Sequence, residues 1–330
     1  MERLNVAIIG ATGLVGTKIV EILANTTIEI ENIYFFSSFV DAGQKIEFRN
    51  KTYYSKEASK KRLQKLDLDV VFLAAGGDVS YHYAEFLINR GIYVIDNSSY
   101  FRMKNHSLLI IPEVNGELLT KKNYLISNPN CSTIQSLLPI KAIADCVDIE
   151  KIIYSTYQAV SGSGVNGIKS LEGELSHYKY PIKNNLIPQI DTFIDDDYTK
   201  EEVKMINETK KILNNFLLDI SATCVRVPIS NCHAVDITLE LKRNVSVEKI
   251  KKLLNKFEGI KVVDDPSEEM YPMPIIADEQ DDVLVGRIRK SYVFDNGVRL
   301  FVVADNLRKG AALNAVQILE KMVERGIFNV

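Results

Sequence analysis

The residues best suited to do chemistry fall in a few short stretches. Ser127-Asn128-Pro129-Asn130-Cys131-Ser132-Thr133 sets a cysteine between a strand-like run and a helical one over 134–144. A thiol at a helix N-terminus feels the positive end of the dipole and unpaired N–H groups, which favour the thiolate. Asn130, Ser132 and Thr133 add donors able to hold an oxyanion. The other reading is an inert thiol beside an Asn/Ser cap, the ordinary fate of a lone cysteine. Gly10-Ala11-Thr12-Gly13-Leu14-Val15-Gly16 joins a strand-like run to a helical run. Glycines there permit a tight turn and close backbone approach, so that a pyrophosphate can rest on the helix N-terminus. The plain alternative is a βα turn with no ligand, and the flanking strand and helix favour the ligand. A nucleophilic thiol beside a nicotinamide points to one reaction class, thioester-forming aldehyde oxidation or acyl-phosphate reduction.

Further along, Glu208 and Lys211 are three positions apart, which puts both on one helical face. Spacing alone leaves them open as a solvated ion pair. Arg226 offers a guanidinium that can grip a carboxylate with two parallel hydrogen bonds, or it is a surface strand arginine. His233, with an ordinary pKa of about 6.5, suits a proton relay, or it is a plain strand histidine. Arg226 and His233 lie seven positions apart, so on an unbroken strand they would face opposite ways. Pro228 and Ser230-Asn231 predict a turn and hence neighbouring strands. Cys224, Cys232 and His233 match no zinc spacing, and no metal is expected.

The elements that must position these residues come in two textures. Apolar runs over 4–10, 32–38, 70–76 and 93–99 alternate with helical stretches over 14–23 and 79–89. Runs that are apolar throughout suit strands buried on both faces of a parallel sheet. The pattern predicts a doubly wound Rossmann-type α/β cofactor domain, with 108–114 and 124–130 extending the same sheet. Beyond about 130 the strands are longer and partly alternating, as in the mixed sheet of an α+β substrate and dimerisation domain. Helical segments are predicted over 165–180, 203–213 and 247–257, and a strong amphipathic helix over 310–324. That last helix is expected to dock back on the first domain. The expected division is 1–129 with 310–330 as the dinucleotide-binding domain, and 130–309 as the catalytic and dimerisation domain.

Cofactor choice turns on the end of the second strand. An NAD site usually has Asp or Glu there for the ribose hydroxyls. This strand ends Phe36-Ser37-Ser38, and serine hydroxyls can donate to a 2′-phosphate, which favours NADP. Asp41 would oppose this if it turned inward.

Several segments resemble aspartate-semialdehyde dehydrogenase: GATGLVG (10–16), DNSSYFRM (96–103), SNPNCST (127–133), YQAVSGSG (157–164), NETKKIL (207–213), CVRVPISNCH (224–233) and DNLRKGAALNAVQI (305–318). The resemblance implies NADPH-dependent reductive dephosphorylation of 4-phospho-L-aspartate to the semialdehyde, on the way to lysine, threonine and methionine. It implies Cys131 as nucleophile, His233 as general acid/base, and Gln158 as the residue orienting the substrate and acyl intermediate. Arg226 would take the α-carboxylate and Glu208 the ammonium. Lys211 and Arg102 would take the phosphate, with Asn130 beside it. Gly10, Thr12, Gly13, Leu14, Val15, Ser37, Ser38, Ser161, Gly162 and Asn314 would touch the cofactor, and a homodimer would pair through the mixed sheet. One departure stands out. The family's loop pattern SxRSAG, whose arginine clamps the 2′-phosphate, reads Ser38-Phe39-Val40-Asp41-Ala42-Gly43 here, so dual use of NAD and NADP stays open.

Composition excludes other classes. Hydrophobic residues are 46% and charged residues 25% of 330, which is globular rather than disordered. Lys+Arg 40 against Asp+Glu 43 gives −3, which suggests neither nucleic acid nor an anionic membrane as partner. Four irregularly spaced cysteines make no disulfide framework, and no apolar run is long enough to span a bilayer. The chain runs straight into a strand without a signal segment, so a cytoplasmic setting is expected. N-acetyl-γ-glutamyl-phosphate reductase is the nearest rival, but its cysteine motif reads HPGCYPT, and its acetylated substrate has no use for Glu208. A non-catalytic dinucleotide-binding paralogue is the other alternative. Retention of Cys131, Gln158, Arg226 and His233 together argues against it.

Overall fold

The computed structural model of the chain describes residues 3–328; residues 1, 2, 329 and 330, the outermost of the expected domain ranges, lie outside the described residues. The fold divides into two compact units. One comprises the chain up to Pro129 together with the chain from Ala311 onward, and the other is Asn130–Gly310.

The first unit begins with β1 (Leu4–Ile9), α1 (Leu14–Asn25) and β2 (Ile30–Ser37). A hairpin of β3 (Lys45–Phe48) and β4 (Lys51–Tyr54) follows, then β5 (Lys56–Glu57), α2 (Lys60–Leu63), β6 (Val70–Leu73) and α3 (Gly77–Ile88). The unit continues through β7 (Tyr93–Asp96), β8 (Leu108–Leu109), α4 (Pro112–Asn115) and β9 (Leu125–Ser127). Strands pair in the order β5-β2-β1-β6-β7-β9-β8, every pair parallel. Connections run outward both ways from β1, so the order reverses between β1 and β6, where open α/β sheets hold ligands at the carboxyl ends of their strands. Val6 and Ile8 of β1 join a core with Ile19 and Leu23 of α1, while Ala7 and Ile9 join another with Tyr83 and Leu87 of α3. Burial on both faces is why these runs are mostly apolar rather than alternating.

The second unit opens with α5 (Cys131–Ala144), β10 (Ile149–Gln158), α6 (Val165–Glu172), α7 (Lys200–Ile212) and β11 (Asp219–Arg226). It goes on through β12 (His233–Leu241), α8 (Val247–Leu254), β13 (Ile260–Val262), α9 (Pro274–Ala277), β14 (Val283–Lys290) and β15 (Gly297–Ala304). Its sheet has the order β11-β10-β12-β15-β14-β13. The β10–β11 and β13–β14 pairs are parallel and the rest antiparallel, so the sheet is mixed. Helix α5 lies against β10, β12, β14 and β15. The opposite face leaves Ile153 and Tyr157 of β10 exposed. Finally α10 (Leu313–Glu324) contributes to the first unit, touching α1, α4 and β7.

Three local outcomes differ from the sequence pattern. The helix expected over 165–180 ends at Glu172, because Gly173 takes φ 86 and the N–H of Glu174 closes on the Lys169 carbonyl at 2.9 Å. The last helix does not run unbroken from 310, since a π turn over Arg308–Ala312 precedes α10. The β3–β4 hairpin was not anticipated; Arg49 and Asn50, both at positive φ (46 and 61), make the tight turn that its twist requires. Among the described residues no helix is long and apolar enough to cross a membrane.

Candidate active site

The nucleophile candidate opens a helix that its own neighbour caps. Asn130 sits at the N-cap of α5, its Oδ1 accepting from the N–H groups of Ser132 (3.0 Å) and Thr133 (3.2 Å). Cys131 is the first helical residue, half-buried, at the positive end of a 14-residue helix. Gly310 comes so close that a Cβ there would stand 3.1 Å from the Cys131 Cβ. The cap is itself held by two acids of α7. Asn130 Nδ2 donates to Glu201 Oε1 at 2.7 Å, and its backbone N–H donates to Glu208 Oε2 at 2.6 Å.

Three strand ends supply the other candidate groups. Gln158 ends β10 and pairs with Arg226, which ends the parallel β11, while His233 begins β12 on the other side of β10. Arg226 and His233 are therefore not on adjacent strands, as the turn at 228–231 suggested, but flank the strand that carries Gln158. The peptide of Ala159 bridges them. Its N–H donates to His233 Nδ1 at 3.0 Å and its carbonyl accepts from Arg226 Nη1 at 2.6 Å. A Cβ on Gly162 would stand 2.9 Å from Arg226 Nη1 and 3.1 Å from His233 Nε2. A side chain at 162 would therefore press on both groups.

The electrostatics follow from burial. His233 is fully buried, and burial together with the Arg226 charge holds its pKa well below the ordinary histidine value. Because Nδ1 accepts from Ala159, the neutral ring carries its proton on Nε2, a buried atom with no hydrogen-bond partner. Burial raises the Glu201 carboxyl, but Lys204, Asn130 and Arg226 outweigh this and leave it below its ordinary value. Burial lowers Lys211, against the pull of Glu208. Cys224 is pushed far above the ordinary thiol range by burial and the nearby Glu201 charge, which makes it inert.

Two positioning residues gave no signal in the sequence. Glu201 accepts from both Asn130 and Gln158 (3.3 Å), so one buried carboxylate orients the helix cap and the glutamine. Its neighbour Glu202 instead completes a capping box with Thr199; the Thr-x-x-Glu spacing marks Glu202 for that role but says nothing of what Glu201 holds. Gln135, four residues after Cys131 and so on the same face of α5, donates to the His233 carbonyl at 3.0 Å. That bond ties the nucleophile's helix to the start of β12.

In the first unit, the N–H groups of Gly10 and Ala11 both donate to the Phe36 carbonyl, which joins the glycine loop to the end of β2. Gly10 has φ 94, and a Cβ there would meet the Ala74 carbonyl at 2.5 Å. Gly16 passes so near Gly10 that a Cβ would lie 1.9 Å from its carbonyl oxygen. Helix α1 starts at Leu14 with no side-chain cap and no acid in its first turn, a positive helix end that suits an anionic ligand. Ser37 is buried, its hydroxyl donating to the Ser38 carbonyl. Ser38, expected to donate to a 2′-phosphate, donates instead to Asp41 Oδ2 at 2.7 Å within the same loop. Arg102 is buried and donates to the carbonyls of Asn128 (2.9 Å) and Asn97 (3.2 Å). Asn314 is fully buried, its Nδ2 donating to Asn128 Oδ1 (2.6 Å) and the Ile110 carbonyl (3.0 Å). In the second unit, Ser161 is buried against Asn231 and Asn306.

Cys232, Asp278 and Asp305 come within 4.8 Å of one another, a spacing compatible with a cation. Asp305 already accepts from the N–H groups of Leu307, Arg308 and Glu279 and from Asn231 Nδ2, which reads as a bracket for the 305–310 turn.

Comparison with known proteins adds the following. Residues 5–122 match the family model for the semialdehyde dehydrogenase NAD binding domain, and residues 140–309 that for its dimerisation domain. The chain is 40% identical to the aspartate-semialdehyde dehydrogenase of Campylobacter jejuni, covering 98% of each. It is 42% identical to that of Bacillus subtilis, covering 97% of each. The crystal structure of aspartate semialdehyde dehydrogenase II of Vibrio cholerae, complexed with ASA, superposes with a TM-score of 0.93 at 37% identity, covering 98% of this chain and 99% of that one.

Proposed function

This chain belongs to the aspartate-semialdehyde dehydrogenase family, and on that premise we propose the roles of its residues in the family's reaction. The chain is an oxidoreductase that interconverts 4-phospho-L-aspartate and L-aspartate 4-semialdehyde with a nicotinamide cofactor, a step of lysine, threonine and methionine biosynthesis. The observation that carries the residue assignment is the meeting of Gln158, Arg226 and His233 at three strand ends around the Ala159 peptide.

Cys131 attacks the acyl carbon as thiolate, the positive helix end favouring the anion, and inorganic phosphate leaves to give a thioester. A reduced nicotinamide held by the Gly10–Val15 loop would supply the hydride for reduction of the Cys131 thioester to a thiohemiacetal. The thiohemiacetal then expels the thiolate and leaves the aldehyde. His233 presents Nε2–H to the oxygen that develops negative charge and, while neutral, serves it as a hydrogen-bond donor; to act as general acid it must first take up a proton at Nδ1. To act as base in the reverse direction it must first release the Ala159 N–H. Gln158, held by Glu201 and Thr156, orients the acyl group.

Substrate charges find complementary partners. Arg226 takes the α-carboxylate, its Nη1 braced on Ala159. Glu208 takes the ammonium, and Lys211 and Arg102 the phosphate, with Asn130 beside it. The Gly10–Val15 loop binds the dinucleotide pyrophosphate, and Ser161, Gly162 and Asn314 serve the nicotinamide end. NADP(H), the form the resemblance implies, is one cofactor the reaction can use. The stretches 1–129 with 310–330 form the dinucleotide-binding part, and 130–309 the catalytic and dimerisation part. The exposed Ile153 and Tyr157 on the bare face of the mixed sheet suit a homodimer interface, and the protein works in the cytoplasm.

The test runs the reaction backwards with aspartate semialdehyde, phosphate and an oxidised nicotinamide, following the reduced form by absorbance. Phosphate-dependent turnover that is lost in Cys131→Ala and absent with N-acetylglutamate semialdehyde is the expected result. Turnover that survives the substitution would remove Cys131 from the mechanism.

A further inference from the structure

We propose that Asp41 makes this chain prefer NAD(H) over NADP(H), with Ser38 and Asp41 together forming a ribose-hydroxyl site in place of a 2′-phosphate site. The inference rests on reading the glycine loop as the dinucleotide site. The residues fit a pyrophosphate, because Gly10 and Gly16 allow a backbone approach that any side chain would block. They do not fit a 2′-phosphate.

The geometry places the acid where the second strand ends. Phe36 is bound to the glycine loop through its carbonyl, and Ser38 follows two residues later. Asp41 Oδ2 accepts from the Ser38 hydroxyl at 2.7 Å, and the Asp41 N–H donates back to the same oxygen at 3.3 Å. Gln44 Nε2 donates to Asp41 Oδ1 at 3.0 Å, and the Asp41 carbonyl accepts from Ser55 Oγ at 2.8 Å. The carboxylate is thus fixed in place by its own loop rather than swinging in solvent.

An acid at the end of this strand accepts from adenosine ribose hydroxyls, whereas a dianionic phosphate beside it meets like charge. Compensating cations are missing from the loop: Ser37 to Gly43 contains no Lys or Arg. Val40 stands where the SxRSAG pattern has its arginine and is 88% exposed, touching little that would explain it otherwise. Lys45, the next cation along the chain, is paired with Glu47 at 2.6 Å. Asp41 itself replaces the second serine of that pattern, so one donor is lost and one negative charge gained.

Direct binding by titration calorimetry, with NADH and NADPH measured separately on the full chain, tests this without turnover. The wild type should bind NADH more tightly than NADPH by about tenfold, or about 1.4 kcal/mol. Asp41→Asn keeps the shape of the loop and removes the charge, so the ratio of the two dissociation constants should move toward NADPH by roughly the same factor. Val40→Arg with Asp41→Ser should reverse the preference, and the reversal should shrink at high salt. Equal or tighter binding of NADPH by the wild type, or an Asp41→Asn protein with an unchanged ratio, would overturn the proposal. Binding of neither dinucleotide would instead remove the glycine-loop reading beneath it, and the proposal with it.

Discussion

Replacing Glu201 by glutamine should cost both stability and turnover, for one physical reason. Glu201 is 5% exposed, and its carboxylate accepts from Asn130 Nδ2 at 2.7 Å, Gln158 Nε2 at 3.3 Å and Lys204 Nζ at 3.2 Å. Glutamine keeps one acceptor and turns the other end into a donor facing donors. Hydrogen bonds to a charged group contribute about 1.5–3 kcal/mol each, and Lys204 retains Asp191 at 3.0 Å, so a net loss of about 3 kcal/mol follows. For a cooperative unit the size of 130–310 that is a fall of roughly 6–12 °C in melting temperature. Because Asn130 caps the nucleophile's helix and Gln158 faces the acyl group, kcat should fall by about tenfold or more while dinucleotide affinity stays put. The pH dependence carries a sign. The folded Glu201 carboxyl lies below its ordinary value, so its stabilisation is present above the unfolded pKa of about 4.3 and is lost as pH falls through the folded pKa. The gap in melting temperature between wild type and Glu201→Gln should therefore narrow below about pH 4. Thermal melts from pH 3 to 7 and steady-state rates at pH 7 measure all three effects. A variant that melts within a degree of wild type, with unchanged kcat, would refute the reasoning.

Other expectations follow from the same geometry. Cys131→Ala should lower turnover by at least about a thousandfold while calorimetry still detects dinucleotide binding. Gly162→Ala pushes a methyl to 2.9 Å from Arg226 Nη1 and 3.1 Å from His233 Nε2, and should raise KM for the semialdehyde about tenfold with little change in melting temperature. Arg226→Lys keeps the charge but loses the planar fork, and KM should rise by roughly 10–100-fold. Since His233 is held neutral in the fold, the kcat profile should show no step near pH 6.5. The native state should also lose stability as pH falls below about 6.5, where the unfolded imidazole takes up a proton. A kcat step near 6.5 that disappears in His233→Asn would contradict this.

The parts of the fold that were legible in the sequence are those whose burial writes itself into residue type. Strands β1, β6 and β7 are buried on both faces and therefore mostly apolar, Asn5 and Asp96 excepted, and the glycines at 10 and 16 mark backbone approaches that admit no Cβ. The mixed sheet was legible from its longer, partly alternating strands. Helix ends were less so: Gly173 stops α6 through a left-handed turn, a signal present in the sequence but masked by the polar residues that follow. Side-chain roles were legible only through the family resemblance, because a strand arginine or histidine looks the same whether or not it meets a substrate. Glu201 and Gln135 act by long-range hydrogen bonds spanning 71 and 98 positions, which no local pattern encodes. Asp41 was visible as a residue, but its fixed position in the loop depends on Ser38, Gln44 and Ser55 together.

The most direct test of the central claim is to catch the thioester. The chain is incubated with aspartate semialdehyde and oxidised nicotinamide in the absence of phosphate, quenched in acid, and its peptides are mapped by mass spectrometry. The account predicts one equivalent of reduced nicotinamide and an aspartyl group on Cys131 that hydroxylamine removes. Reduced nicotinamide formed with Cys131 unmodified, or with the acyl group on another residue, would contradict it.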